Sequence, residues 1–445
     1  MALSTLKFHI LTFGCQMNEH DSFRMAEILR ACGYEDAQSL DEADLILINT
    51  CSVRKNPENK VYSMLGTLRR LKDSDRDIII GVAGCVAQQE GERILQREKC
   101  VDLVFGPDHY FRLPEMLERV KHGERVLETA WSEPSSKSRV DNFIPEEWLE
   151  AGHLDGCKAY VSIMKGCNNF CSFCIVPHTR GRETCRPLES ILKEVEALVH
   201  RGAKEIWLLG QNVNSYRANE VDFYTLLDTI SSQEGVVRVR FTSSHPKDWD
   251  EKLTTLVATR RSICNQLHLP LQSGSDRILD LMNRRHTFAQ YFSIINDLKT
   301  HIPTIELSTD IIVGFPTEKE EDFQATLRAL EEIRFSSVFS FKYSPRPGTR
   351  AAAMSDDVPR SVKEERLQRL IELQEKINRE HMDSLVGTVQ EVLIDSCHKK
   401  NPNVLNGRTG GYRPVKLSGS GLKIGDRVSV RITGYRNHWL EGVVV

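Results

Sequence analysis

The segment Cys167-Asn168-Asn169-Phe170-Cys171-Ser172-Phe173-Cys174 carries three thiols at two fixed offsets. With 12 cysteines in 445 residues, chance supplies about 0.009 such triplets per chain, so the spacing calls for a chemical reason. A CxxxCxxC loop after a strand can wrap three thiolates around one face of a cubane, because iron–sulfur clusters are held by Cys thiolates, normally one per iron. One iron then lacks a local ligand. Either a distant cysteine closes an electron-transfer cluster, or the fourth iron stays open to substrate, as catalytic metal sites keep a vacant position. Structural zinc is the third reading, and no nearby Cys-x2-Cys or His pair of finger spacing completes it.

A second set depends on the fold. Cys15 follows FHILTFG, Cys51 follows LILINT and Cys85 follows DIIIGVAG, so each stands just past an expected strand. Carboxyl ends of parallel strands share one sheet edge, where open α/β folds bind ligands. Three thiolates distant in sequence would converge there; the alternative is three unrelated buried cysteines, since Cys is often buried.

The elements that must position these residues follow from hydrophobic periodicity. From Leu6 to about Arg119, β-rich runs (FHILTF, LILINT, DIIIGVA, VDLVFG) alternate with helical stretches at Ser22–Ala31, Lys60–Leu71 and Gln89–Gln96. That alternation implies right-handed crossovers and a small doubly wound parallel sheet. Residues 123–156, polar and containing Ser and Pro, read as a linker. From Lys158 to about Met354 six βα-like units follow (AYVSIMKG, EIWLLGQN, VRVRFTSS, QLHLPLQ, IELSTDIIVG, SVFSFKYS), including helices at Leu188–His200 and Phe288–His301. Six units suit a partial barrel with its site at the carboxyl ends of the strands, an open doubly wound sheet being the alternative. Val362–Met382 is helical, and short β-branched runs after it, TVQEVLID and RVSVRITGY, suggest a small all-β barrel. The expected class is α/β throughout the first two modules, with domains at 1–122, 157–377 and 378–445 and the linker between the first two.

Composition excludes several classes. Hydrophobic residues make up 40% and charged residues 27%, as in a globular protein rather than a disordered or fibrous one. No apolar run approaches the ~20 residues of a membrane helix, and the start, MALSTLKFHILTFGC, lacks a signal-peptide pattern. A cytoplasmic protein without membrane attachment is expected, with reduced cysteines and a monomeric state. Net charge is −3, but residues from Met382 onward carry nine Lys and Arg against five Asp and Glu, a mildly basic tail on a more acidic chain.

The cysteine loop resembles the signature of radical S-adenosylmethionine (radical SAM) enzymes, whose open iron chelates the amino and carboxylate groups of the methionine moiety. In that family an aromatic residue just before the third cysteine packs near the adenine, the place of Phe173; a core phenylalanine is the plainer alternative. The segments TFGCQMNEHDS, NTCSVRKN and GCVAQ resemble the amino-terminal half of the methylthiotransferases, radical SAM enzymes with a second 4Fe-4S cluster on three such cysteines. GQNVNSY, SSHPKDW, HLPLQSGSDRIL, MNRRHT, TDIIVGFPTE and YSPRPGTR extend the likeness, and the last strands resemble the family's RNA-binding TRAM domain. Nearly the whole chain is covered.

The resemblance implies two 4Fe-4S clusters, an auxiliary one on Cys15, Cys51 and Cys85 and a radical SAM one on Cys167, Cys171 and Cys174. It implies S-adenosylmethionine contacts at Gly210, Gln211, Asn212, Ser243, Gln272 and Asp310, although polar strand-end residues also serve to satisfy backbone groups. In the family scheme one S-adenosylmethionine methylates a sulfur at the auxiliary cluster. A second is cleaved reductively to a 5′-deoxyadenosyl radical, and the methylthio group is transferred; an external flavodoxin- or ferredoxin-type donor supplies electrons. The sulfur comes either from a cluster sulfide or from an exogenous sulfide or persulfide.

Gln16-Met17-Asn18, IVPHTRGR (175–182) and HLPLQSGSDRIL resemble the branch that modifies isopentenyl-adenosine at position 37 of the tRNA anticodon loop. The other branches act on threonylcarbamoyl-adenosine or on a ribosomal-protein aspartate; a redox-sensing, non-enzymatic RNA binder is the rival outside the family. Tyr412, Arg413, Arg431, Tyr435 and Arg436 could bind phosphates and stack on splayed bases, and Arg180, Arg182 and Arg186 could meet the substrate nucleotide. An unstacked adenine would present its isopentenyl group as an apolar handle. Cys32, Cys100, Cys157, Cys185, Cys264 and Cys397 match no ligand position and read as structural.

Overall fold

A computed structural model describes residues 5–52, 55–74, 77–131, 152–398, 404–419 and 421–445. Most of the expected linker, 132–151, lies outside the described residues, as does Val53-Arg54 of the NTCSVRKN segment. The chain divides into two compact units: Met1–His153 with Met164–Asn168 and Cys174–Arg186, and Leu154–Ile163 with Asn169–Phe173 and Pro187–Val445.

The first unit is built on a six-stranded parallel sheet in the order Glu35–Asp36, Lys7–Phe13, Leu45–Thr50, Ile79–Gly84, Leu103–Phe105, Val126–Glu128. Leu45–Thr50 is buried along its whole length because both its faces are covered. Leu45 and Leu47 join one apolar cluster, with Met25, Leu29, Met116 and Leu117 of the helices Gln16–Ala31 and Leu113–Lys121. Ile46 and Ile48 join the other, with Val61, Leu65 and Leu68 of the helix Lys55–Asp73. The order in which strands are added reverses between Lys7–Phe13 and Leu45–Thr50, the switch point at which doubly wound folds open a ligand crevice.

The expected doubly wound module is present, with three local differences. Val126–Glu128 pairs with Leu103–Phe105, so the module runs past residue 122; a short strand carrying only three residues gives too little periodicity to detect. The helix expected at Gln89–Gln96 is two short helices, Cys85–Glu90 and Glu92–Arg97, interrupted at Gly91, whose φ of +48° no right-handed helix accommodates. The first helix begins at Gln16 rather than Ser22, its opening turn being polar because it faces the cysteine edge.

In the second unit six parallel strands stand in two hydrogen-bonded groups. Lys158–Ser162, Glu205–Leu209 and Arg238–Phe241 form one, and Gln266–His268, Glu306–Val313 and Ser337–Lys342 the other. A bridge from Val239 to Ile263 marks the join, giving the open, partial barrel expected. Leu154–Asp155 pairs antiparallel with Lys158–Ser162, so this unit starts before residue 157. The helix Arg360–Leu385 runs unbroken through the expected boundary at 377/378, because its buried positions, Leu370, Gln374, Ile377 and Met382, continue across it. The barrel core takes up Met382.

The carboxyl-terminal strands close into a five-stranded barrel in the order Val389–Cys397, Val404–Thr409, Pro414–Ser418, Trp439–Val444, Arg427–Arg436. Closure removes the edges that a small sheet would expose. The barrel seats on the amino-terminal ends of the parallel strands. Arg240 donates to the Thr409 and Gly410 carbonyls at 2.9 and 2.8 Å and to Glu205 at 2.9 Å, while Arg413 pairs with Glu306 at 3.0 Å. No helix among the described residues is long and apolar enough to cross a membrane.

Candidate active site

The first unit brings Cys15, Cys51 and Cys85 to one edge of the sheet. Register aligns Phe13 with Thr50 and Thr50 with Gly84, so the three cysteines leave adjacent strand ends one or two residues further on. They stand at the switch point. Neighbouring strands lie about 4.8 Å apart, which keeps three consecutive ends within reach of one small ligand.

Local sequence explains how the chain fits there. A Cβ on Gly14 would meet Asn18 Oδ1 at 2.7 Å and the Cys51 Cβ at 2.8 Å, so only glycine lets the two loops approach this closely. Gly84 adopts φ +86° to turn from strand into the helix that Cys85 begins. The fully buried side chains of Asn18 and Asn49 lock the loops together. Asn18 Nδ2 donates to Asn49 Oδ1 (3.1 Å), and Asn49 Nδ2 returns bonds to the Asn18 carbonyl (2.8 Å) and Ser22 Oγ (2.9 Å). These asparagines explain the spacings Cys15-x-x-Asn18 and Asn49-x-Cys51.

Charge complements the thiols. Arg180 is buried and pairs with buried Asp21 at 2.7 Å. Burial opposes ionisation of Asp21, but the Arg180 guanidinium holds its carboxyl below the usual range. Cys51 and Cys85 are buried, and Cys15, although exposed as a whole residue, has its thiol enclosed. A hydrogen bond with Cys51, aided by Arg180 against the cost of burial, brings the Cys15 thiol down to about 6, whereas burial raises that of Cys85. Cys15 and Cys85 thus both feel the buried Arg180 cation, and the Cys15 thiol is already inclined to ionise.

The cysteine loop is divided between the units. In the first unit the antiparallel pair Met164–Lys165 and Thr184–Cys185 ties its ends together, the Cys167 amide donates to the Gly181 carbonyl at 3.1 Å, and Cys174 is half-buried. In the second unit, Cys171 Sγ accepts from Arg284 Nη1 at 3.4 Å. Asn283 Nδ2 donates to the Asn169 and Phe170 carbonyls at 3.2 and 3.0 Å, and Ser172 bonds to the Met282 and Leu281 carbonyls. Phe173 packs against Ile278, Met282, Phe315, Tyr343 and Ala351.

The other expected contacts belong to the second unit, and Asp310 stands within the strand Glu306–Val313 rather than at its end. Asn212 is buried and donates to Asp248 Oδ2 at 2.8 Å, leaving its Oδ1 without a hydrogen-bond partner. Gln272 Oε1 is also buried and unpartnered, and Asp310 faces His268 Nε2 at 3.5 Å. Gly210 and Gln211 extend the same strand end. Ser243 and Gln272 adopt φ of +63° and +75°, strained conformations that persist at ligand-binding sites when the surroundings enforce them. Four residues that no role was assigned from sequence stand with them: His245, Asn283, Arg284 and His286, within the quoted segments SSHPKDW and MNRRHT. Burial keeps His245 and His286 neutral, His286 falling to about 4. Their available signal was polar and charged residues directly after apolar strand or helix positions.

Several expected RNA contacts are corrected. Arg180 and Arg186 are buried, Arg180 in its pair with Asp21, so neither faces a phosphate; among those three arginines only Arg182 is exposed. Tyr412 packs edge-on against Trp207 at 4.9 Å beneath the Arg240 and Arg408 guanidinia, and Arg413 is held by Glu306, because both belong to the seat of the barrel. Arg431 and Arg436 are exposed, and Tyr435 donates its hydroxyl to Asp383 at 2.8 Å. Of the remaining cysteines, Cys100, Cys157 and Cys264 are buried with raised thiol values, Cys185 is half-buried, and Cys32 and Cys397 are exposed.

Comparison with known proteins places this geometry. Family models match at residues 7–106 (Uncharacterized protein family UPF0004), 161–330 (Radical SAM superfamily) and 383–445 (TRAM domain). The fold resembles the radical S-adenosylmethionine methyltransferase TsrM of Kitasatospora setae (TM-score 0.57, 15% identity, 79% of this chain and 74% of that one). It also resembles the cobalamin-dependent S-adenosylmethionine radical enzyme OxsB (TM-score 0.53, 12% identity, 85% and 56%). Fold and loop thus define a radical SAM enzyme, a class that works with S-adenosylmethionine and a 4Fe-4S cluster.

Among curated relatives, the tRNA-2-methylthio-N(6)-dimethylallyladenosine synthase of Nitrosomonas eutropha is 45% identical over 451 residues, covering 98% of both chains. That of Pelotomaculum thermopropionicum is 44% identical over 443 residues, covering 98% of this chain and 97% of its own. The chain belongs to the family of tRNA-2-methylthio-N(6)-dimethylallyladenosine synthases.

Proposed function

We propose that the protein converts N6-isopentenyladenosine at position 37 of tRNA, beside the anticodon, to its 2-methylthio derivative, using two molecules of S-adenosylmethionine. The observation that carries this reading is the placing of Cys15, Cys51 and Cys85 at three adjacent strand ends beside the switch point, in a chain that also holds the CxxxCxxC loop. Two cysteine triads fit two 4Fe-4S clusters, one auxiliary and one with an open iron. Bound, these groups and S-adenosylmethionine supply what side chains lack: one-electron cleavage, removal of an unactivated hydrogen, and a sulfur and a methyl group to transfer.

The chain's own residues orient and enclose. Asn18 and Asn49 fix the separation of the Cys15 and Cys51 loops, and Arg180 offsets the thiolate charge. Asn212 Oδ1 and Gln272 Oε1 offer buried acceptors, and Ser243 past one strand end and Asp310 within the strand Glu306–Val313 add polar groups for S-adenosylmethionine, with Gly210 and Gln211 beside them. Phe173 backs that site from the apolar cluster it joins. Exposed Arg182, Arg431 and Arg436, with the Tyr435 ring, are the candidate tRNA contacts. A flavodoxin- or ferredoxin-type donor supplies electrons to a monomeric, cytoplasmic enzyme.

The test is nucleoside mass spectrometry of tRNA bearing isopentenyl-adenosine after anaerobic incubation with reconstituted protein, reductant and S-adenosylmethionine. A 2-methylthio product, lost in Cys15→Ala and in Cys171→Ala, is expected. Unchanged tRNA together with abundant 5′-deoxyadenosine would move the target to another substrate and overturn the assignment.

A further inference from the structure

Arg284 is 5% exposed. Its Nη2 donates to the Pro270 carbonyl at 2.7 Å and its Nη1 to Cys171 Sγ at 3.4 Å, while Nε is buried without a partner. Three other buried arginines are matched by carboxylates: Arg180 by Asp21, Arg240 by Glu205, Arg366 by Glu318. Among the described residues none pairs with Arg284. Two titratable neighbours, His245 and His286, add no charge, because they are held neutral by burial and by Arg284 itself.

An arginine cannot escape burial by losing its proton, so an unmatched guanidinium in such a place is costly until an anion completes it. The atom within its reach that can carry negative charge is the Cys171 sulfur. The turn that presents Arg284 is itself constrained: Asn283 and Arg285 both adopt φ +56°, and Asn283 holds two carbonyls of the cysteine loop. One strained turn therefore grips the loop and aims a cation at its central thiol.

We propose that Arg284 is a positioning residue whose charge completes the cluster bound at Cys171 and sets how readily that cluster accepts an electron. This rests on the assignment of Cys167, Cys171 and Cys174 as cluster ligands. Hydrogen bonds to the sulfurs and local charge govern cluster potentials. A cation favours the more negative, reduced form, so removing it makes the cluster harder to reduce.

The test uses the full chain with Cys15, Cys51 and Cys85 changed to alanine, reconstituted with iron and sulfide, and titrated with dithionite and mediators while electron paramagnetic resonance follows the reduced cluster. Arg284→Gln and Arg284→Met should lower the reduced-to-oxidised ratio at fixed potential about tenfold, a shift of about 59 mV to more negative values. Arg284→Lys, which keeps the charge, should fall between them and the parent. Urea unfolding of the cluster-free chain should show no loss of stability in Arg284→Met, since that variant removes an unmatched buried charge. Unchanged potentials would overturn the proposal. So would a cluster-free chain weakened equally by all three substitutions, the mark of a mere brace for Pro270. A parent that gains no cluster signal would overturn the ligand assignment, and the proposal with it.

Discussion

The two cysteine triads share a donor chemistry and differ in how the chain assembles them. Cys167, Cys171 and Cys174 come from one eight-residue loop, whereas Cys15, Cys51 and Cys85 come from three strand ends that only a parallel sheet aligns. Their buried arginines differ as well. Arg180 is paired with Asp21 and also acts on the Cys15 and Cys85 thiols, while Arg284 touches a thiol and no carboxylate. The first triad is built into the fold and depends on tertiary packing; the second comes from a local loop. Damage to sheet packing should therefore disable the strand-end triad selectively, and loop substitutions the other.

The largest effect should come from the ligands. Alanine at any one of the six cysteines should remove the 2-methylthio nucleoside, read by mass spectrometry. Loss at Cys167, Cys171 or Cys174 should also remove 5′-deoxyadenosine, whereas loss at Cys15, Cys51 or Cys85 should leave it detectable. Next is Asp21→Asn, which breaks a buried ion pair and should destabilise the first unit by about 3–5 kcal/mol, measured by urea unfolding of the cluster-free chain. The carboxyl of Asp21 is depressed in the folded protein, so its stabilisation is present above the ordinary carboxylate range and is lost as pH falls through the folded value. Asp21→Asn should accordingly flatten that acid limb of the stability profile.

Asn49→Ala should cost about 1–3 kcal/mol by leaving Asn18 Nδ2 unsatisfied, and should lower iron uptake by the strand-end triad while sparing the loop triad. The smallest effect is expected at the surface. Arg431→Ala and Arg436→Ala should each weaken tRNA binding a few-fold and reduce the salt slope by about 1, as loss of a single phosphate contact does. Arg413→Ala should instead act through stability, because Glu306 already occupies its guanidinium.

Much of this was legible from residue order. Alternating strands and helices gave both α/β modules, and each cysteine of the first triad could be assigned to a strand end before its neighbours were known. What stayed hidden has physical causes. Glu35–Asp36 and Val126–Glu128 are too short for periodicity to register, and Gly91 splits a helix by backbone conformation rather than by pattern. The arginines misled because sequence shows charge and not burial: Arg180 and Arg186 read as solvent-facing cations and are interior. Tyr412 and Arg413 read as an RNA surface and are the seat of the barrel, since an aromatic–basic pair serves either purpose and only Trp207 and Glu306 decide between them. Arg284 posed the opposite problem, one of two adjacent cations in a polar run, whose missing carboxylate is a property of three-dimensional packing alone.

The central claim is that two triads hold two separate clusters. Iron and sulfide analysis with Mössbauer spectroscopy, on the anaerobically reconstituted parent and on each triple-alanine variant, tests it most directly. The parent should contain about eight iron atoms per chain, and each variant about four with unaltered 4Fe-4S parameters. Four iron atoms in the parent, with none left after substitution of Cys167, Cys171 and Cys174, would contradict it.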